Sequence, residues 1–105
     1  MNAAAIVPAF NEEGRVGATV RALLDSGAAG RVVVVDDGSE DRTSLEARRA
    51  GAEVIALRVN RGKGAALMEG AARVDAPVYL FADADLGESA ARLSALVDAV
   101  RRGAD

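Results

Sequence analysis

The run Val32-Val33-Val34-Val35 is apolar at every position. A strand with one wet face alternates apolar and polar residues, so a run without alternation has to be buried on both faces. Ala3 to Ala9 and Val78 to Ala82 read the same way, and Glu53 to Arg58 supplies a further short run. Helical periods separate these runs. From about Glu12 to Ser26, Val16, Val20, Leu23 and Leu24 recur at i, i+4, i+7 and i+8, which predicts a helix with one buried face. Asn11 is its expected N-cap, Glu12 and Glu13 fall in the first turn where the helix dipole favours them, and Gly27 and Gly30 end it. Asp41 is expected to cap a second helix that runs to Ala50 and stops at Gly51. A third helix follows Gly64, with Leu67, Met68, Ala71 and Ala72 on its core face, and Pro77 marks its end. A last helix is expected from about Glu88 to Arg102, carrying Leu93, Leu96, Val97 and Val100. Four β-α units with strands buried on both faces predict an α/β fold, a Rossmann-like open parallel sheet with helices on both faces.

At 105 residues the chain is expected to form a single domain, without linkers, low-complexity tracts or repeats. Aromatic residues make up only 3%, so the core has to be built from Val, Leu, Ile and Ala. The net charge of -3, without a basic block, argues against nucleic acid as a partner. The absence of cysteine excludes disulfides and thiolate metal sites, and the absence of histidine removes the usual base and zinc ligand. A metal bound here has to be a hard cation held by oxygen, Mg²⁺ or Mn²⁺ in type. No apolar stretch approaches the roughly 20 residues of a membrane span, and no basic segment precedes the first apolar run. A cytoplasmic location is the resulting expectation.

Chemistry concentrates where the apolar runs end. Asp36-Asp37 closes the second run and Asp83-Ala84-Asp85 closes the fourth. Two carboxylates two residues apart at a strand end suit a divalent cation held against a phosphate. Open parallel sheets bind ligands at the carboxyl ends of their strands. Pro8 to Glu12, Asp36 to Ser39, Asn60 to Gly64 and Asp83 to Asp85 all fall at that edge. Taken singly, each has a plain explanation: a turn, a cap or a flexible loop. Their convergence points to a site. The glycine-rich loop matches neither familiar phosphate cradle. Leu67 stands where a dinucleotide fingerprint needs its third glycine, and Lys63 is followed by Gly64 rather than by Ser or Thr. Small residues, one cation and a helix N-terminus still suit an anion.

Four segments, in order and spacing, resemble the N-terminal half of a family 2 glycosyltransferase of the GT-A fold. They are Val7-Pro8-Ala9-Phe10-Asn11-Glu12-Glu13, Val34-Val35-Asp36-Asp37-Gly38-Ser39-Glu40-Asp41, Asn60-Arg61-Gly62-Lys63-Gly64-Ala65-Ala66-Leu67, and Asp83-Ala84-Asp85-Leu86. The Gly-Lys-Gly and Asp-Ala-Asp-Leu versions look most like the branch that makes dolichyl- or polyprenyl-phosphate sugars, and the glucosyl-phosphoglycerate synthases are also similar. The resemblance implies a strand order of 3-2-1-4, a UDP- or GDP-sugar donor with Mg²⁺ or Mn²⁺, and hexose transfer to an acceptor such as polyprenyl phosphate. Carried over residue by residue, Pro8, Ala9 and Glu12 line the base and ribose, with Phe10 in the place where Tyr is common. Asp37, supported by Asp36, accepts the base imide hydrogen, and Lys63 lies near the base or diphosphate. Asp85 binds the cation, with Ala84 and Asp83 beside it, Asp83 nearer the ribose or sugar and a further metal candidate.

In such enzymes the acceptor half and the usual catalytic base of inverting members lie beyond the position of Gly103-Ala104-Asp105, so no catalytic residue is assigned. The fourth strand is then expected at an open sheet edge, inviting a homo-oligomer or a second chain. A non-catalytic nucleotide-binding or assembly module is the alternative reading. A phosphoacceptor signalling domain carries its acidic pair after the first strand and its acceptor after the third, whereas the acidic clusters here follow the second and fourth. A haloacid-type phosphatase needs its Asp-x-Asp after the first strand, and the present order fails that as well.

Overall fold

The computed structural model describes residues 3–87 and 99–101. In chain order the elements are β1 (Ala3–Ala9), α1 (Val16–Asp25), β2 (Arg31–Asp36), α2 (Thr43–Ala50), β3 (Glu53–Ala56), α3 (Lys63–Arg73), β4 (Val78–Phe81) and β5 (Ala99–Arg101). They form one sheet in the order β3-β2-β1-β4-β5. The first four strands in that order are mutually parallel, as the continuous apolar runs require. At its centre, Ile6 lies between Val33 of β2 and Phe81 of β4.

Each face of the sheet carries its own core. Val7, Val32, Val34 and Leu80 pack with Val16, Val20 and Leu23 of α1 and Ala47 of α2. Ile6, Val33, Val35 and Tyr79 pack with Ala66 and Val74 on the α3 side. The alternating valines of β2 thus feed both layers, and each contributes on the order of 1.5–3 kcal/mol by leaving water.

Three expectations give way. Helix α1 begins at Val16 rather than near Glu12, and Asn11 is not its N-cap. Asn11 adopts a left-handed φ of 52°, and its side chain serves a neighbouring loop instead. On α3 the buried stripe runs through Ala66 and Gly70, while Met68 is 73% exposed and Ala72 faces solvent. Small residues win that face because the helix lies against the sheet. A Cβ on Gly70 would come within 2.6 Å of Ile6 Cγ2 and 2.8 Å of Val35 Cγ2.

The third difference is at the far edge. Ala99–Arg101 is a strand, not part of the expected last helix, whose remaining residues lie outside those described. It pairs antiparallel with β4, setting Leu80 opposite Ala99 and Val78 opposite Arg101. The β4 edge expected to be open is therefore occupied by the chain's own backbone, which satisfies the groups that would recruit another chain.

Candidate functional site

Strand β1 ends in Pro8 and Ala9. Its carbonyls and amides alternate between neighbours, so Ile6 O accepts from Ala82 N while Ala9 O accepts from Asp37 N. Pro8 therefore faces the β4 side, beyond the last β1–β4 pair at Ile6 and Phe81. A residue without an N–H is tolerated there because β4 no longer offers it a partner. The two strands part at this point, and a cleft of about 400 Å³ opens at the carboxyl edge.

Of the sequence-derived candidates, Pro8, Ala9, Phe10, Glu12, Asp37, Lys63, Asp83, Ala84 and Asp85 all line this cleft. Asn60 and Gly62 line it as well. Asp36 does not reach it. The Asp36 carboxylate accepts the Ser39 amide at 2.9 Å and the Ser44 hydroxyl, so it shapes the β2–α2 turn and ties it to α2.

Asp37 is 2% exposed and accepts two backbone amides, Arg61 N at 2.9 Å and Gly62 N at 2.8 Å. A buried carboxylate needs such donors to offset its lost hydration. In return it fixes the glycine-rich loop against the end of β2. Gly38, at φ 82°, makes this approach feasible: a Cβ there would stand 2.7 Å from Asn60 N. Across the opening, Lys63 Nζ forms an ion pair with the Asp83 carboxylate, and both side chains remain largely in solvent.

The near wall is laced by side chains from 39–46. Ser39 Oγ accepts Asn11 N at 2.8 Å, and Thr43 Oγ1 accepts Glu12 N at 2.9 Å. Asp41 Oδ2 accepts Glu13 N at 3.2 Å, and the Glu46 carboxylate accepts Gly14 N and Gly17 N, each at 2.7 Å. The lacing is reciprocal. Asn11 Oδ1 accepts Glu40 N at 3.0 Å, and Glu13 Oε1 accepts Arg42 N at 3.1 Å. Partial desolvation pushes the Asp41 carboxyl up, but its bonds from Thr43 and Glu13 outweigh that and hold it below its ordinary value. Arg15 bonds Glu12 Oε1 at 2.6 Å, and this bond holds its guanidinium above its ordinary pKa.

On the far wall, Asp83 and Asp85 flank Ala84 in the turn after β4. Asp85 is exposed, and no donor among the described residues hydrogen-bonds its carboxylate. No group of three or more His, Cys, Asp or Glu among the described residues could hold a metal by itself. Carboxylates at Asp83 and Asp85, two residues apart in one turn, suit Mg²⁺ or Mn²⁺, which take one or two protein carboxylates and complete their shell with water and phosphate. Thr19 of α1, buried at 0% exposure, reaches this turn with its hydroxyl.

The sequence carries weak signals for what was not picked out. Thr19 is a polar residue on the apolar face set by Val16, Val20 and Leu23. A hydroxyl in that position needs partners. Asn60 and Gly62 belong to a loop already marked by its glycines. Ser39 falls in the Asp36–Ser39 group at the strand ends, whereas nothing local in the sequence marks Thr43 and Glu46 as partners of a different helix.

Residues 4–105 match the model of glycosyl transferase family 2. The chain belongs to that family. It is 33% identical over 110 residues to the undecaprenyl-phosphate 4-deoxy-4-formamido-L-arabinose transferase of Pseudomonas aeruginosa, covering 95% of this chain and 32% of that one. It is 30% identical over 115 residues to the dolichyl-phosphate beta-glucosyltransferase of Saccharomyces cerevisiae, covering 92% and 34%. Among solved structures, it resembles the glucosyl-3-phosphoglycerate synthase of Mycobacterium tuberculosis in complex with Mn²⁺, uridine diphosphate and phosphoglyceric acid. That likeness has a TM-score of 0.71 at 30% identity, covering 83% of this chain and 34% of that one. The family 2 sheet order and this likeness make the fold GT-A. The chain spans about a third of the length of these glycosyltransferases.

Proposed function

We propose that this chain forms the donor-binding half of a glycosyltransferase, holding a UDP- or GDP-sugar together with Mg²⁺ or Mn²⁺ for hexose transfer to an acceptor of the polyprenyl-phosphate kind. The observation that carries the reading is the cleft between the parted ends of β1 and β4, with an anionic turn on one wall and Lys63 facing it. Membership of family 2 supports it, as do the Mn²⁺ and Mg²⁺ complexes of the mycobacterial synthase with uridine diphosphate.

Pro8, Ala9 and Phe10 offer the base and ribose an apolar ledge, and Phe10, 45% exposed, presents a ring there. Both Asp37 oxygens already accept one amide each, but a carboxylate has about four lone-pair sites, so room remains for a base N–H. Lys63 exchanges Asp83 for the diphosphate, since an exposed ion pair holds it only weakly. Asp85 and Asp83 hold the cation, which when bound supplies Lewis-acid stabilisation to the departing nucleoside diphosphate.

The test is calorimetric titration of UDP and GDP, each with and without Mn²⁺, on this chain and on Asp85→Ala. Mn²⁺-dependent binding of one nucleotide that disappears in Asp85→Ala is the expected result. Failure of both nucleotides to bind the folded chain would overturn the reading.

A further inference from the structure

Thr19 is the one α1 side chain that hydrogen-bonds the turn carrying Asp83 and Asp85, among the described residues. Its hydroxyl lies 2.7 Å from Ala84 O, 2.7 Å from Gly87 N and 3.2 Å from Arg15 O. A threonine hydroxyl has one proton to donate and two lone pairs to receive with. The Ala84 carbonyl, much nearer than that of Arg15, takes the proton, and the Gly87 amide donates to the oxygen. One buried oxygen therefore bridges both sides of Asp85, receiving from Gly87 behind it and giving to Ala84 in front. Gly87 turns the chain at φ 58°, a left-handed conformation that glycine adopts without steric cost.

The rest of the site is held redundantly. Asp37 takes two amides of the glycine loop, and the β1–α1 loop takes several bonds from 39–46. Thr19 is also rigid, because it stands on a packed helix between Val16 and Val20 with no exposed surface. A carboxylate that must meet a cation works only if its backbone is held to within a fraction of an ångström.

We infer that Thr19 is the positioning residue for Asp85, setting the cation affinity of the cleft through the Ala84 carbonyl and the Gly87 amide without touching cation or nucleotide. The inference rests on the donor-site reading above. Groups that orient metal ligands change metal affinity by about 10–100-fold when removed. Thr19→Val keeps the shape and deletes the hydroxyl, whereas Thr19→Ser keeps the hydroxyl and deletes the methyl.

The experiment compares wild type, Thr19→Val and Thr19→Ser by calorimetry with UDP, or with GDP where GDP binds more tightly, with and without Mn²⁺. Hydrogen exchange at the Gly87 amide is followed in the metal-free proteins. In Thr19→Val the gain in nucleotide affinity on adding Mn²⁺ is expected to fall about tenfold or more, with metal-free affinity within about twofold of wild type. Gly87 exchange is expected to accelerate in the same variant, and Thr19→Ser is expected to behave as wild type in both. A full Mn²⁺ gain in Thr19→Val overturns the positioning role alone. So does a folded Thr19→Ser that has lost the gain, and that arm decides the matter even where the valine variant does not fold. Absence of any Mn²⁺ gain in wild type overturns the donor-site reading, and the positioning role falls with it.

Discussion

The carboxylate of Glu46 sits 2.7 Å from the amide of Gly17, so a side chain from α2 closes the first turn of α1. Its other oxygen takes Gly14 N at the same distance. A residue of α2 thus supplies the start of α1 with acceptors that its own N-cap, Arg15, does not. Glu46→Ala strands these amides and is expected to cost about 1–3 kcal/mol, measured by urea denaturation. Glu46→Gln keeps one acceptor and is expected to cost less. Equal stability of Glu46→Ala and wild type would show that water replaces the cap at no cost.

Gly70 and Gly64 lie on the same helix in opposite circumstances. Gly70→Ala drives a methyl into Ile6 and Val35 and is expected to destabilise by about 1–3 kcal/mol. Gly64 has no atom within 4 Å of an added Cβ, so Gly64→Ala is expected to stabilise by about 0.4–1 kcal/mol. Thermal melts of the two variants read the contrast directly, and the same sign for both would contradict the packing described.

Asp37→Asn replaces one acceptor oxygen with a carboxamide NH2 group, a donor set against a backbone N–H. The amides of Arg61 and Gly62 cannot both remain satisfied. Hydrogen exchange at these two positions is expected to accelerate, with a stability loss of about 1–3 kcal/mol. Unchanged exchange would mean that the loop holds its shape without β2.

Lys63 and Asp83 form a solvent-exposed ion pair, which is worth about 0–1 kcal/mol. Lys63→Met is therefore expected to leave the urea midpoint nearly unchanged while weakening nucleoside diphosphate binding about tenfold or more. A large stability loss with unaltered nucleotide affinity would assign Lys63 to the fold instead of the ligand.

Among the described residues, two carboxyls are held below their ordinary values. Arg31 hydrogen-bonds Glu53 across β2 and β3, and Asp41 accepts from Thr43 and Glu13. The unfolded chain binds protons at these groups more readily, so stability rises with pH through this window. Their contribution is complete above the ordinary carboxylate range of about 4 and is lost as pH falls through the folded values. Urea midpoints between neutral and acid pH should fall less steeply in Glu53→Gln and Asp41→Asn than in wild type.

What could be read from the sequence followed burial. The runs at β1, β2 and β4 are continuous because both faces are covered, and that pattern survives without knowledge of partners. The cleft residues were legible because strand ends in a parallel sheet converge. The start of α1 was not legible, since Asn11 and Glu13 carry cap chemistry but direct it to Glu40 and Arg42, while the Glu12 carboxylate takes Arg15. On helix α3, Leu67 packs against the core as its hydrophobicity implies, but Met68 and Ala72 do not, because closeness to the sheet selects Ala66 and Gly70. Strand β5 was missed because Val100 also fits a helical period, and only pairing with β4 decides between the two.

The bonds around the cleft are divided unequally between its walls. The β1–α1 and β2–α2 loops are stitched to each other in both directions, with the glycine loop moored to them through Asp37. Among the described residues, the acidic turn is tied by the Thr19 hydroxyl, the Lys63–Asp83 ion pair and the packing of Ala84 and Leu86 against the core. A ligand that draws Lys63 away from Asp83 therefore releases one tie of the acidic turn and none of the opposite wall.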